Sequence, residues 1–369
     1  MKKKILSIML AMTMVVASCA GCGSSENEVT STETEAEAVE EETEAVEETE
    51  TVEEDAAEET EELVDITDED TQISIGAMTG PTAMSLVKMM KDAEDAGDKS
   101  AYTFAELATD ASALLPALSK GELDIAAIPS NAAATVYNNT EGSICILATI
   151  NTGVLNIVER GESVNSIADL KGKTVYATGQ GAVPEYTIRY LLSENGVDPD
   201  SDLTITWCAD TTEALSYISS DEAAIAVLPQ PFVVAACAQV EGLRVAVDLN
   251  DEWTKLDNGC QIITGVIAAR KEFVDNNPEA VEKFLAEYAE SVEYTNDDVE
   301  GAAALIEQYG IVAKAPIAQK ALPGCHLVCM VGDEMKTSVE GFLNILFEQN
   351  PKAVGGAMPG DDFYYGITK

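Results

Sequence analysis

Side chains able to do chemistry are few in this chain and gather in short segments. Cys325-His326 and Cys329 bring two thiols and the only imidazole into one stretch, a set of soft donors of the kind that binds zinc. A closed zinc site needs a fourth ligand, and no other histidine or second paired-cysteine motif supplies one, so a structural role or a local disulfide is expected instead. Cys145, Cys208, Cys237 and Cys260 stand far apart in apolar contexts and read as buried small hydrophobes. The run Gly179-Gln180-Gly181-Ala182-Val183-Pro184 has the spacing of a dinucleotide-binding turn, but Pro184 replaces the third glycine and removes the close helix-to-sheet packing that such a turn needs. No Gly-x-Ser-x-Gly elbow, His-Glu-x-x-His pair or phosphate-binding loop occurs. Neither a metal nor a cofactor is expected.

The elements that position the remaining polar residues follow from hydropathy. Gln72 to Ala77 alternates like a strand, and Thr79-Gly80-Pro81-Thr82 then has the chemistry of a helix start, predicting one helix to about Ala93 that buries Met84, Val87 and Met90. Strands are expected over Tyr102 to Leu107, Asp124 to Pro129, Ile144 to Ala148, Leu155 to Glu159, Thr174 to Thr178, Leu203 to Trp207, Ala224 to Leu228, Arg244 to Asp248 and Gly265 to Arg270. Helices are expected over Ser112 to Lys120, Pro184 to Asn195, Pro278 to Tyr294, Glu300 to Tyr309 and Asp333 to Glu348. Strands alternating with helices argue for an α/β fold with mostly parallel sheets flanked by helices.

Composition narrows the partners. The 369 residues carry a formal net charge of −45, which excludes nucleic acid, because so acidic a surface repels phosphate. From Glu26 to Asp70 there are roughly 23 acidic residues and no Lys or Arg. That stretch cannot bury enough apolar surface to offset its ordering entropy, and residues 23–71 read as an extended, self-repelling linker. Before it, Lys2-Lys3-Lys4 and the apolar run from Ile5 to about Ala17 read as an export signal, too short to be read as a spanning helix. Its end, Ala17-Ser18-Cys19-Ala20-Gly21-Cys22-Gly23, resembles the lipobox of bacterial lipoproteins. Cys22 is the preferred lipidation site, with Cys19 as the alternative, and residues 1–22 would be the signal segment.

Several phrases together resemble a known family. Glu122-Leu123-Asp124-Ile125-Ala126 with Pro129-Ser130-Asn131, Ser166-Ile167-Ala168-Asp169-Leu170-Lys171-Gly172-Lys173, Pro184-Glu185-Tyr186 and Leu228-Pro229-Gln230-Pro231-Phe232 are similar to ABC-transporter solute-binding proteins of the nitrate/sulfonate/taurine type, related to thiamine pyrimidine precursor-binding proteins. The resemblance covers nearly all of residues 72–369. It implies a two-lobed, type II periplasmic-binding fold, with residues 72–153 and 264–369 in lobe 1, residues 154–263 in lobe 2, and a hinge of two crossings. It also implies a monomer, anchored outside the cell by its N-terminal lipid, that hands a small molecule to an ABC permease driven by a cytoplasmic ATPase. A sensor subunit presenting ligand to a membrane signalling protein is the alternative. A relative of this fold makes the thiamine pyrimidine by consuming its own histidine with a pyridoxal cofactor, but His326 falls outside the expected cleft loops, so no enzyme is expected.

Ligands of open α/β sheets sit beyond the carboxyl ends of strands, which nominates the site. Lobe 1 offers Thr79, Gly80, Pro81, Thr82, Ser130, Asn131, Asn151 and Thr152; lobe 2 offers Thr178, Gly179, Gln180, Gly181, Ala182, Glu185 and Gln230. Helix starts there would suit a carboxylate or sulfonate, and Glu185 either meets an amino group or caps its own helix. These loops hold no Lys or Arg, which disfavours phosphate or nitrate and favours a neutral, zwitterionic or weakly anionic ligand such as a small sulfonate or a nitrogenous heterocycle. Cys22→Ser is expected to release the protein into the medium; lipid labelling that persists would move the anchor to Cys19.

Overall fold

The computed structural model describes residues 71–368. The signal segment, Cys19, Cys22 and all but the last residue of the acidic linker lie outside the described residues. The first run of elements is β1 (Ile73–Ala77), α1 (Pro81–Met84), α2 (Val87–Ala96), β2 (Tyr102–Phe104), α3 (Ala111–Lys120), β3 (Ile125–Pro129), α4 (Ser130–Asn139) and β4 (Ile144–Asn151). Residues 152–154 then cross into β5 (Leu155–Arg160), β6 (Thr174–Ala177), α5 (Val183–Glu194), β7 (Thr204–Trp207), α6 (Thr211–Ser220), β8 (Ile225–Pro229), α7 (Phe232–Gln239), β9 (Leu243–Asp248) and α8 (Leu249–Thr254). Residues 255–264 cross back to β10 (Gly265–Arg270), α9 (Lys271–Asn276), α10 (Pro278–Asp297), α11 (Val299–Gln308), α12 (Ala315–Ala321) and α13 (Gly332–Gln349). No helix among the described residues is long and apolar enough to cross a membrane.

Two five-stranded sheets result, in the orders β2-β1-β3-β10-β4 and β7-β6-β8-β5-β9. Four strands in each run one way. The exception is the strand that follows each crossing: β5 is antiparallel to β8 and β9, and β10 is antiparallel to β3 and β4. Both reversed strands are tied by an ion pair at the end opposite the crossing. Glu159 on β5 faces Arg244 on β9 at 2.6 Å, and Arg270 on β10 meets Asp124, just before β3, at 2.7 Å.

The single helix expected from Pro81 to Ala93 is two helices. Its backbone ladder is interrupted where α10 takes over the carbonyls: Ser291 Oγ donates to Ser85 O at 2.7 Å and Thr295 Oγ1 to Met84 O at 3.4 Å. The break changes the buried face, so Met89 is buried beside Met84 and Val87 while Met90 is only partly covered. The strand expected to reach Leu107 stops at Phe104.

Each half has its own apolar core, and a third cluster joins them through α13. There Phe342 meets Trp253 of α8 edge-on at 5.7 Å between centroids, and the tail of α13 reaches α5, where Gln349 Nε2 donates to Tyr186 O at 3.1 Å. The C-terminal helix therefore packs on both halves.

Burial drives the Glu159 carboxyl upward, but the hydroxyl and N–H of Ser163, the N–H of Val164 and the Arg244 guanidinium together hold its pKa below the usual carboxylate range. Arg244→Met leaves that carboxylate buried without its cation, and is expected to lower unfolding free energy at pH 7 by about 2 kcal/mol, less than for a wholly buried pair because Arg244 is partly solvated. A depressed native pKa gives stability that is present above the unfolded pKa of about 4.3 and lost as pH falls through the native value. Urea unfolding should therefore show the gap between wild type and variant closing from pH 5 to pH 3; a constant gap would assign the loss to packing.

Candidate functional site

The carboxyl ends of the co-directed strands and the amino ends of the two reversed ones converge on one cleft of about 820 Å³. The first sheet supplies Thr79–Thr82 after β1, Thr109 after β2, Pro129 at the end of β3, Asn151 at the end of β4 and Thr264 before β10. Facing them are Val154 and Leu155 at the start of β5, Val183 and Pro184 after β6, Thr211 after β7, and Pro229, Gln230, Pro231 and Phe232 after β8. Residues Ile311–Lys314, between α11 and α12, add a further wall. A groove of about 720 Å³ beside α2 and α10 is lined from the first half alone and begins at Thr71, where the undescribed chain joins.

Hydrogen bonds fasten the two crossings to one another at the cleft edge. Thr264 N–H donates to Asn151 O at 3.1 Å and Thr264 Oγ1 to Thr152 O at 2.8 Å. Thr152 N–H donates to His326 O at 3.1 Å, and His326 Nδ1 lies 2.6 Å from Gly153 O, so this nitrogen carries the ring proton. Gly153 itself has no room for a side chain: a Cβ there would lie 2.8 Å from Ile262 Cδ1 and 2.9 Å from Asn250 Oδ1.

Of the residues nominated from sequence, Thr79, Gly80, Pro81, Thr82, Asn151 and Gln230 line this cleft together. The others do not. Ser130 and Asn131 are buried in the first turn of α4, where Ser130 Oγ donates to Ile263 O at 2.5 Å and Asn131 Nδ2 points to Ala353 O at 3.4 Å. Thr152 is spent on the crossing. Thr178, Gly179, Gln180, Gly181 and Ala182 form the turn before α5 but leave the wall to Val183 and Pro184, Gly179 being packed beneath the Pro184 ring. Glu185 is engaged within its own turn and helix: Oε2 accepts from Gly181 N–H at 2.7 Å and Oε1 from Arg189 at 2.9 Å.

A carboxylate already holds the start of α5, and α1 is only four residues long, beginning with a proline that has no N–H to offer.

Residues 105–302, which include the whole second sheet, both crossings and β3, β4 and β10, match the family described as NMT1/THI5 like. The chain belongs to the NMT1/THI5-like family. No curated protein sequence matches it. Among solved structures it is similar to an ABC transporter protein from Parabacteroides distasonis, with 22% identity, a TM-score of 0.67, and coverage of 80% of this chain and 99% of that one. It is also similar to the periplasmic aliphatic sulphonate-binding protein of Escherichia coli (19%, 0.64, covering 81% and 93%) and to the periplasmic nitrate-binding protein of Synechocystis PCC 6803 (14%, 0.53, covering 76% and 82%). Likeness at such identities establishes the fold, the two-sheet type II periplasmic-binding architecture.

Within this family member, the segment richest in soft donors does not form a metal site. No group of three or more His, Cys, Asp or Glu side chains suited to a metal occurs among the described residues. Cys325 and Cys329 are free and not joined to each other, which corrects the local disulfide; Cys325 packs against Met84, and burial pushes its thiol up to about 12 and that of Cys329 to about 11. Both remain protonated and unreactive at neutral pH. Cys145 and Cys208 are buried, whereas Cys237 and Cys260 are half-buried.

Sequence reasoning missed the wall from Ile311 to Lys314 and Ile317, which follows no strand and so escapes a search of strand ends. Lys314 is an exposed cation on a cleft that the strand-end loops alone would leave without one. It also missed the hydrophobes Phe232 and Ala235, although the adjacent Pro229-Gln230-Pro231 marks the same turn. Ser130→Ala should lower unfolding free energy by about 1 kcal/mol, with Ile263 O left unpaired, while Gln230→Ala should leave the unliganded protein nearly as stable as before. Urea melts of the two variants check this, and equal losses would make Gln230 part of the scaffold.

Proposed function

We propose that this protein is the extracytoplasmic solute-binding component of an ABC importer, tethered by lipid at Cys22, or at Cys19 in its place, and holding its acidic linker between the membrane and the folded part. A monomer captures one small solute in the cleft and delivers it to a permease powered by a cytoplasmic ATPase. The observation that carries this reading is the 820 Å³ cleft walled by both sheets, with two hydrogen-bonded crossings at its edge. A solute touching both walls favours the conformation in which they approach, by its differential affinity for that state. The sulphonate- and nitrate-binding proteins of the same fold support the role without fixing the solute.

Binding without bond-making fits the lining. It contains no carboxylate, thiol or imidazole side chain, hence no acid–base pair or activated nucleophile, and its one ionisable residue is Lys314. His326 is engaged at the crossing.

Native mass spectrometry of the protein incubated with a small-molecule extract is expected to show one retained solute per chain. Ala235→Trp, which fills the cleft from its α7 wall, should abolish retention with the unliganded melting temperature shifted by no more than about 2 °C, because Ala235 is not part of the core. Retention unaffected by Ala235→Trp, or chemical conversion of the solute, would overturn the reading.

A further inference from the structure

Helix α7 carries almost no polar side chain: Phe232-Val233-Val234-Ala235-Ala236-Cys237-Ala238 is apolar all round before Gln239. A helix of that kind is covered on several sides. Val233, Ala236 and Val240 are buried in the second half's own cluster, and Phe232, Ala235, Ala238 and Gln239 line the cleft. Val234 belongs to neither set. It packs on the apolar core of the first half, the cluster that holds Ala318, Ala321 and Leu322. Among the described residues it is the one hydrophobe between positions 154 and 263 that does so, and α7 lies against α12.

A second residue reaches across beside it. The Gln230 N–H donates to Val154 O at 2.9 Å, which fixes its backbone to the second half, while its side chain lies over Gly324 of the first: a Cβ there would stand 3.1 Å from Nε2 and 3.3 Å from Cγ. Gly324 follows α12 and is outside the cleft lining. Gln230 Oε1 is buried with no hydrogen-bond partner. Such an acceptor opposes the contact that covers it, because water would reach it once the halves part. Burial of Val234 favours the contact. At α12 the halves are therefore held by a small apolar contact that one unpaired amide weakens, in contrast to the broad core under α13.

Resting on the binding reading above, we infer that Val234 and Gln230 are positioning residues for solute capture: through the contact of α7 with α12 they set how closely the wall of Phe232, Ala235 and Ala238 is brought to the first half, and the unpaired amide keeps that contact releasable. Val234 is not in the cleft lining, so it acts on a solute only through α7.

Two measurements test this: hydrogen exchange of the unliganded protein, followed on peptides from α7 and α12, and the solute retained from the small-molecule extract in native mass spectra. Val234→Asp is expected to speed exchange in both helices at least about fivefold while β1, β3 and α10 keep wild-type rates, and to cut the retained adduct at least about tenfold; Val234→Ile should match wild type in both. Gln230→Met keeps the length of the side chain and removes the unpaired acceptor, so exchange in both helices should slow at least about threefold. A response to Val234→Asp confined to α7 would overturn the inference. Full adduct retention alongside faster exchange in both helices would overturn the positioning role and leave the cleft reading intact. If Val234→Asp loosens every peptide alike, Gln230→Met decides, and exchange in α12 at or above the wild-type rate overturns the inference. Wild-type protein that retains no adduct would overturn the cleft reading and the positioning role with it, even with α7 and α12 coupled in exchange.

Discussion

A chain that crosses between two sheets in three residues must start its next strand at the end where the last one finished, and that strand then runs against its neighbours. Residues 152–154 impose this on β5, and β10, which follows the longer return through residues 255–264, is reversed in the same way. Everything about the site follows from that polarity. The co-directed strands of both sheets end toward the crossings, so their outgoing turns, with Thr79–Thr82, Asn151, Val183 and Gln230, meet across a single gap.

The same geometry explains how rigidity is distributed. Ion pairs pin the reversed strands at the ends far from the crossings, where Glu159 meets Arg244 and Asp124 meets Arg270. Near the cleft the restraints are backbone hydrogen bonds, the Thr264 hydroxyl, the Asn250 amide and one imidazole, and Gly153 is packed so closely that its crossing has little freedom apart from Ile262 and Asn250. The packing of α13 against both Trp253 of α8 and the first-half core adds an apolar joint between halves that the crossings alone would not supply.

Much of this architecture was legible in the sequence because strand-forming runs and helix starts are local signals. The Gly265 to Arg270 strand and the helix from Pro278 show it: both depend on alternation or capping within a few residues. The site was legible only as far as the strand-end rule reaches, which nominated Asn151 and Gln230, both on the cleft wall, along with Ser130 and Glu185, which are not. Those two fail for one physical reason: a hydroxyl or carboxylate at a helix start can satisfy its own fold before it meets a ligand, and Ile263 O and Gly181 N–H are within reach. The break at Ser85 was invisible because the groups that cause it, Ser291 and Thr295, lie some two hundred residues away. The Ile311 to Lys314 wall was invisible because it comes from a helix–helix connection.

Charge carries the argument one step further. The protein is acidic far beyond what its linker contributes, and its field raises the local concentration of cations and lowers that of anions at any opening on its surface. The cleft wall itself is built from prolines, aliphatic side chains, hydroxyls and amides, and its lone lysine is solvated. Screening at physiological salt removes most of the long-range penalty but none of the desolvation cost inside the cleft. What the cleft does to a solute is therefore set locally, by desolvation and by the polar groups that the lining presents, and it would survive neutralising the surface.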